Sequence, residues 1–341
     1  MSAAILIIGA GAVGTYLGGS LALQGHPVIF LEREGDLPTL QQRGLRIHRK
    51  DWIDQINSAD FISSFSQITD YRVEWGVLAL KSYHLKEIEP RLEKYRRDLP
   101  PLLCVLNGVE NERELELLLG TEKVIPAAVT TAVQRYAKGD VHVEKDRGLG
   151  IALNHPLARK IAEDFRGAGI DTGLYSDAAA MKWSKLLTNL MANASSAVLG
   201  MTPGEIYRHP GLYRLEIKQL REALQVMEAM EVSPVNLPGI PVILLAWVVS
   251  KLPWQVSHPI VMRAVRRGRG GKMPSLYQDL DSGRGHSEVD ELNGAVVRAA
   301  ERLQIPVPAN RLLNRTLLRL VRGEESRAIY NHNPSALLSQ L

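Results

Sequence analysis

Lys185, Asn189 and Asn193 recur four residues apart in a stretch that is otherwise apolar, with Leu186, Leu187, Leu190, Met191 and Val198 around them. On one continuous helix each step of four drifts by only ~40°, so the spacing predicts a single polar face. Buried ammonium and amide groups need partners, because leaving them unpaired is costly, and a bound polar substrate is one way to supply them. The plainer alternative is the solvated face of an amphipathic helix. Two asparagines near the middle of a helix are poor helix formers, which tilts the reading toward a binding role. A positioned ammonium suits one chemistry in particular. It stabilises and protonates an oxygen on which negative charge develops, as when hydride adds to a ketone.

A second constellation lies at the other end of the chain. Gly9-Ala10-Gly11-Ala12-Val13-Gly14 fits G-x-G-x-x-G, directly after the apolar run Ile5–Ile8 and at the start of a helical pattern. That context turns a weak motif into a dinucleotide-binding signal. Gly9 permits the tight turn, Gly11 lets backbone amides approach a pyrophosphate, and Gly14 lets the helix pack closely on the sheet. The helix N-terminus then offers amides and partial positive charge to the phosphates. The next strand ends in Leu31-Glu32-Arg33. An acid there takes the ribose hydroxyls of NAD, whereas an arginine accepts the 2′-phosphate of NADP. Both residues are present, so the residues alone leave the choice of cofactor open.

The elements that must carry these groups fall into two halves. Apolar runs at Ala4–Ile8, Val28–Leu31, Gly76–Leu80, Leu102–Leu106 and Val124–Val133 alternate with helical patterns at Val13–Gln24, Leu85–Arg97 and Glu110–Leu119. This alternation predicts an α/β domain, a Rossmann-type doubly wound parallel sheet over residues 1–176. Beyond Asp177 the strand-like runs stop. Helical patterns at Ala178–Leu199, Leu212–Glu231, Ser287–Leu303 and Asn310–Arg322 predict an all-α C-terminal domain over residues 177–341. The site is expected in the cleft between the two.

Composition sets outer bounds. A chain of 341 residues with 45% hydrophobic content can bury a sizeable core. A net charge of +4 is too small to mark a nucleic-acid protein, and no nucleic-acid partner is expected. The single cysteine, Cys104, lies in an apolar run, is read as core, and fits a reducing, cytoplasmic setting. The histidines show no metal-ligand spacing, so no metal is expected. The N-terminal apolar stretch lacks the basic segment of a signal peptide and reads as folded protein. The longest apolar run, Ile240–Val249, is broken by Pro241 and is too short to span a bilayer.

One stretch fits neither half cleanly. Residues 233–272 hold Pro234, Pro238, Pro241, Pro253 and Pro259 around two short apolar patterns, followed by Arg263, Arg266, Arg267, Arg269 and Lys272. Apolar faces beside arginines can lie on anionic lipid. The prolines break any long amphipathic face, so a membrane partner is not expected. The plainer reading is a helical insertion packed on its own domain or on a partner subunit, as in a homodimer.

The motifs together resemble one family. The glycine fingerprint, Leu80-Lys81-Ser82-Tyr83, Leu106-Asn107-Gly108 and Trp183-Ser184-Lys185-Leu186 with Asn189 and Asn193 are similar to the ketopantoate reductase family. So are Pro274-Ser275-Leu276-Tyr277-Gln278-Asp279-Leu280, Ser287-Glu288-Val289-Asp290 and Leu292-Asn293-Gly294, in the same order along nearly the whole chain. The resemblance implies a two-domain, 6-phosphogluconate-dehydrogenase-like fold. It further implies NADPH-dependent reduction of a 2-oxo acid, 2-dehydropantoate to pantoate, a step toward pantothenate and coenzyme A.

Position by position, it makes Lys185 the catalytic acid and Glu288 the glutamate facing that lysine and the substrate hydroxyl. Asn107 holds the nicotinamide and the reacting carbonyl. Asn189, Asn193 and Ser275 bind substrate, Lys81 lines the cofactor side, and Arg33 takes the 2′-phosphate, favouring NADP despite Glu32. Read without the resemblance, Ser275 and Glu288 could equally be a helix start and a capping carboxylate. Three departures bear on the substrate: the longer 233–272 stretch, one extra residue near Gly285, and Met201-Thr202-Pro203 where an asparagine is expected. A reductase of another 2-oxo or 3-hydroxy acid is therefore one alternative, and a non-catalytic NADP-sensing protein is another.

Overall fold

The computed structural model describes residues 3–267 and 271–341. Arg269 of the basic run lies outside the described residues, as do the side chains of Arg266 and Arg267. The chain forms two compact units. The first comprises residues up to Leu106, Glu110–Lys182 and Leu237–Ile240; the second comprises Asn107–Val109, Trp183–Asn236 and Pro241–Leu341.

Among the described residues the first unit is built on twelve strands: β1 (Ala4–Ile8), β2 (Val28–Leu31), β3 (Leu45–His48), β4 (Ile53–Ile56), β5 (Asp60–Ile62), β6 (Val73–Leu78), β7 (Leu102–Cys104), β8 (Val124–Val129), β9 (Ala132–Ala137), β10 (Asp140–Lys145), β11 (Leu149–Ala152) and β12 (Thr172–Tyr175). Eight form one sheet in the order β12-β11-β8-β7-β6-β1-β2-β5. Strand β1 is buried along its whole length and pairs in parallel with β2 and β6, so the winding reverses at its edge. Ligands of doubly wound sheets bind at the carboxyl ends of the strands at such a reversal. The glycine turn leaves β1 at that end.

The expected sheet is present, with two departures. Strand β11 pairs antiparallel to β8, and β4-β3-β10-β9 form a separate four-stranded sheet. This second sheet leaves little trace in the sequence because its strands are short and only half-buried, as in β4 and β9. They lack the continuous apolar runs of a parallel core strand. Cys104 is fully buried in β7, and burial pushes its thiol far above the ordinary range.

The second unit is helical. Asp177 Oδ1 accepts from Ala180 N at 2.9 Å and starts the helix Ala178–Leu190. The expected continuous helix Ala178–Leu199 is not found. The chain stops at Leu190, passes through Ala192 at φ 49° and ψ 21°, and begins a new helix, Asn193–Leu199. Lys185 and Asn189 keep their shared face, but Asn193 does not belong to it. The pattern Ser287–Leu303 is likewise interrupted, by a π-turn at Asp290–Gly294 before the helix Ala295–Leu303. Hydrophobic periodicity reports which residues face a core, and it is blind to a single residue that leaves the helical region.

The insertion folds back on its own unit as the helices Val242–Lys251 and Trp254–Arg267. Arg221 Nε donates to Val249 O at 2.8 Å, and Tyr213 Oη and Ser257 Oγ lie 2.6 Å apart. Ile243, Leu244 and Trp247 on its outer side remain exposed. Among the described residues, no helix is long and apolar enough to cross a membrane.

Candidate active site

In the first unit the glycine turn has the form that the motif predicts. Gly9 has φ +103°, a region costly for residues with a side chain. A Cβ on Gly14 would lie 1.9 Å from Gly9 O, so the helix Ala12–Leu23 can approach the turn only through a glycine. Gly11 differs from both. A Cβ there would meet nothing nearer than Ala79 O at 3.9 Å, so protein packing does not require its small size. The bare backbone of Gly11 leaves room for a ligand to approach, and no side chain caps the helix that follows. Gly9, Ala10, Gly11, Ala12, Val13 and Gly14 thus fit a dinucleotide pyrophosphate.

The end of β2 is resolved in detail. Glu32, with its side chain only 6% exposed, accepts from the backbone of Ala10 and pairs with Lys138 Nζ at 2.8 Å. Lys138 also reaches Asp36 at 3.1 Å. Arg33 is 70% exposed and pairs with Glu87 at 3.3 Å. The acid is therefore turned into the glycine loop rather than away from it. Lys81 precedes the short helix Ser82–His84 in the same unit.

In the second unit, residues distant in sequence form one hydrogen-bonded chain. Asn189 Nδ2 donates to Asn107 Oδ1 at 3.1 Å, and Asn107 Nδ2 donates to Glu288 Oε2 at 3.1 Å. Glu288 is 1% exposed, so it is not the surface carboxylate of the capping alternative. Lys185 lies one turn before Asn189 and is half-buried. The new helix carries Asn193 to Ser275. Its Nδ2 lies 3.5 Å from Ser275 Oγ, and its Oδ1 accepts from Leu276 N at 3.1 Å. Side-chain amides thus join Asn107, Asn189 and Glu288 in one cluster, and Asn193 and Ser275 in a second.

Two further charged residues support the site without a motif that marks them. Lys182, one turn before Lys185, is buried, pairs with Glu112 at 2.6 Å and donates to Leu106 O at 2.7 Å. It thereby fixes the residue immediately before Asn107. Glu216, fully buried, accepts from Ala192 N at 2.6 Å and from Ser195 Oγ at 2.7 Å. Burial raises its carboxyl to about 7, against the opposing pull of hydrogen bonds from Ser195, Ala192, Gln219 and Tyr207. Glu216, Gln219 and Glu222 are spaced three apart on the buried side of the helix Pro210–Ala229. That spacing of polar residues among apolar ones was the signal available in the sequence.

A glycine turn shaped for a dinucleotide, and a half-buried lysine beside linked amides and a buried carboxylate, together define a nucleotide-dependent oxidoreductase of the α/β-plus-helical class. The comparisons make this specific. Residues 5–153 match the family described as Ketopantoate reductase PanE/ApbA, and residues 177–322 match its C-terminal part. The chain belongs to the ketopantoate reductase family. It is 26% identical over 332 residues to a 2-dehydropantoate 2-reductase of Archaeoglobus fulgidus, covering 94% of this chain and 98% of that one. A crystal structure of a family ketopantoate reductase from Ralstonia eutropha is similar at TM-score 0.78 and 27% identity, covering 94% and 98%. D-mandelate dehydrogenase in a ternary structure with NADH and anilino(oxo)acetate shares the fold at TM-score 0.76 and 16% identity, covering 94% and 99%.

Proposed function

We propose that the protein is a cytoplasmic reductase that converts 2-dehydropantoate to (R)-pantoate with NADPH. The observation that carries this reading is the hydrogen-bonded chain Asn189–Asn107–Glu288, ending on a buried carboxylate beside the Lys185 face, in a member of this family. When bound, the reduced nicotinamide supplies the hydride. Lys185 stabilises the developing charge on the ketone oxygen and delivers the proton to it. Glu288 accepts from Asn107, faces Lys185 and the substrate hydroxyl, and orients the lysine toward the ketone oxygen. Asn189, Asn193 and Ser275 offer neutral donors to the substrate carboxylate, and Asn107 orients the carbonyl. Gly9 to Gly14 hold the pyrophosphate and Lys81 lines the cofactor side. Arg33, exposed and paired at the surface with Glu87, meets the 2′-phosphate.

The test is NADPH oxidation by purified protein on addition of 2-dehydropantoate. No oxidation would refute the assignment, and a panel of other 2-oxo and 3-hydroxy acids identifies a different preference. Lys185→Ala should lower kcat by roughly two to four powers of ten while NADPH binding persists. A second reading of the cofactor rests on Glu32, which is buried against the Ala10 amide where a ribose-binding acid sits. Comparing the dissociation constants of NADH and NADPH separates the two. Tighter NADH binding would replace Arg33 by Glu32 as the selecting residue.

A further inference from the structure

The left-handed break that separates Asn189 from Asn193 is held by groups outside both helices it joins. Ala192 is fully buried and takes φ 49°, a conformation unfavourable for any residue with a Cβ. Ala192 N donates to Glu216 Oε2 at 2.6 Å, and Leu190 O on the other side of the break accepts from Gln219 Nε2 at 3.2 Å. Gln219 Nε2 also donates to Glu216 Oε2 at 2.8 Å. Ser195 Oγ at 2.7 Å and Tyr207 Oη at 3.3 Å complete the donors around the carboxylate. One face of the helix Pro210–Ala229 thus takes a backbone group on each side of the break.

The same face reaches the other half of the site. Gln219 Oε1 accepts from Asn293 Nδ2 at 3.0 Å, and Asn293 lies in the π-turn Asp290–Gly294, which begins two residues after Glu288. Asn293 Nδ2 also donates to Asn310 Oδ1 at 3.0 Å, and Asn310 Nδ2 returns to Gln219 O at 2.9 Å. π-Turns are rare and concentrate at functional sites. Because Glu216 fixes the orientation of the Gln219 amide, it also fixes which end of that amide faces Asn293.

We infer that Glu216 is a positioning residue of the substrate site: through Ala192 it sets the Asn193 side, and through Gln219 and Asn293 it sets the turn that carries Glu288. The inference rests on reading Asn189, Asn193 and Glu288 as substrate-side groups. Glu216 touches none of them, so its effect is on their placement and not on the chemistry.

Hydrogen exchange followed by mass spectrometry, together with steady-state kinetics on the full chain, tests this. Glu216→Gln keeps the size, removes the charge and sets an amide NH2 among donors. The expected result is faster exchange in both residues 190–195 and 288–294. The KM for 2-dehydropantoate should rise about tenfold or more while kcat changes by less than about threefold. NADPH affinity should not change. A general loss of folded protein would instead lower kcat and leave KM alone. Adding Ala192→Gly, which takes the left-handed conformation without a clamp, should recover the part of the KM loss that runs through Ala192.

A folded Glu216→Gln with wild-type exchange at 288–294 and an unchanged KM overturns the inference. A raised KM that Ala192→Gly leaves unrepaired overturns it too. Should Glu216→Gln not fold, Ser195→Ala, which removes one of the four donors, is read by the same measurements. It should show the same two segments exchanging faster, and wild-type exchange there would refute the proposal. A wild type that does not turn over the oxo acid refutes the substrate reading alone, and the exchange at the two segments then decides the inference.

Discussion

At Gly9–Gly14 the backbone turns because its own residues permit it; at Leu190–Asn193 it turns because a carboxylate 24 residues further on holds it. The first turn needs a positive φ at Gly9 and no Cβ at Gly14, and glycine supplies both without help. The second places an alanine at φ 49° and answers the cost with four donors gathered around a buried glutamate. The difference shows two ways of building a bend beside a binding site. A permissive turn tolerates any change in its surroundings that leaves room for the backbone. A clamped turn inherits the electrostatics of its clamp, including its response to pH.

Breaking a distant polar hold should have the largest effect. Lys182→Ala leaves Glu112 buried and unpaired and removes the donor to Leu106 O, so unfolding free energy should fall by about 3–5 kcal/mol in urea denaturation. A loss under about 1 kcal/mol would mean that long-range pairs do not anchor this part of the chain.

The pH response of the clamp is next in size. The Glu216 carboxyl is raised from 4.5 to about 7, so the native state keeps a proton that the unfolded chain releases. The resulting contribution is fully present below pH 4.5 and is lost as pH rises through about 7. It amounts to about 3 kcal/mol. Glu291, also raised to about 7 by burial and by the charges of Glu288 and Asp290, acts in the same direction. Unfolding free energies measured from pH 5 to pH 8 should therefore decline, and should decline less in Glu216→Gln. Equal slopes in the two proteins would contradict a buried, titrating Glu216.

The glycine turn can be divided more finely. Gly14→Ala drives a Cβ into Gly9 O and should cost about 1–3 kcal/mol of stability. Gly11→Ala meets no protein atom closely, so stability should stay within about 0.5 kcal/mol while dinucleotide affinity drops. Equal stability losses for both would show that Gly11 serves packing after all. A small change of opposite sign is expected from Ala192→Gly alone, a gain of about 0.5–1 kcal/mol, because relief of the left-handed strain slightly exceeds the entropy cost of glycine. A destabilised Ala192→Gly would mean that the Cβ of Ala192 packs more than it strains.

The amino-acid sequence alone determined the glycine turn, the bounds of β1 and β2, the division into a sheet-rich and a helical part, and the Lys185–Asn189 face. These features are written in local sterics and in periodicities of two and 3.6 residues, which any short window displays. The tertiary structure decided the rest. It placed β11 antiparallel to β8, assembled the four-stranded sheet, and turned Glu32 into the loop at Ala10. It broke the helix after Leu190 and sent Asn193 to Ser275. It also chose Asn107 as the partner of Glu288, 181 residues away, and Glu112 as the partner of Lys182. A buried polar group must find a partner, but its own neighbours along the chain do not say which one; only the packed core brings that partner within hydrogen-bond reach.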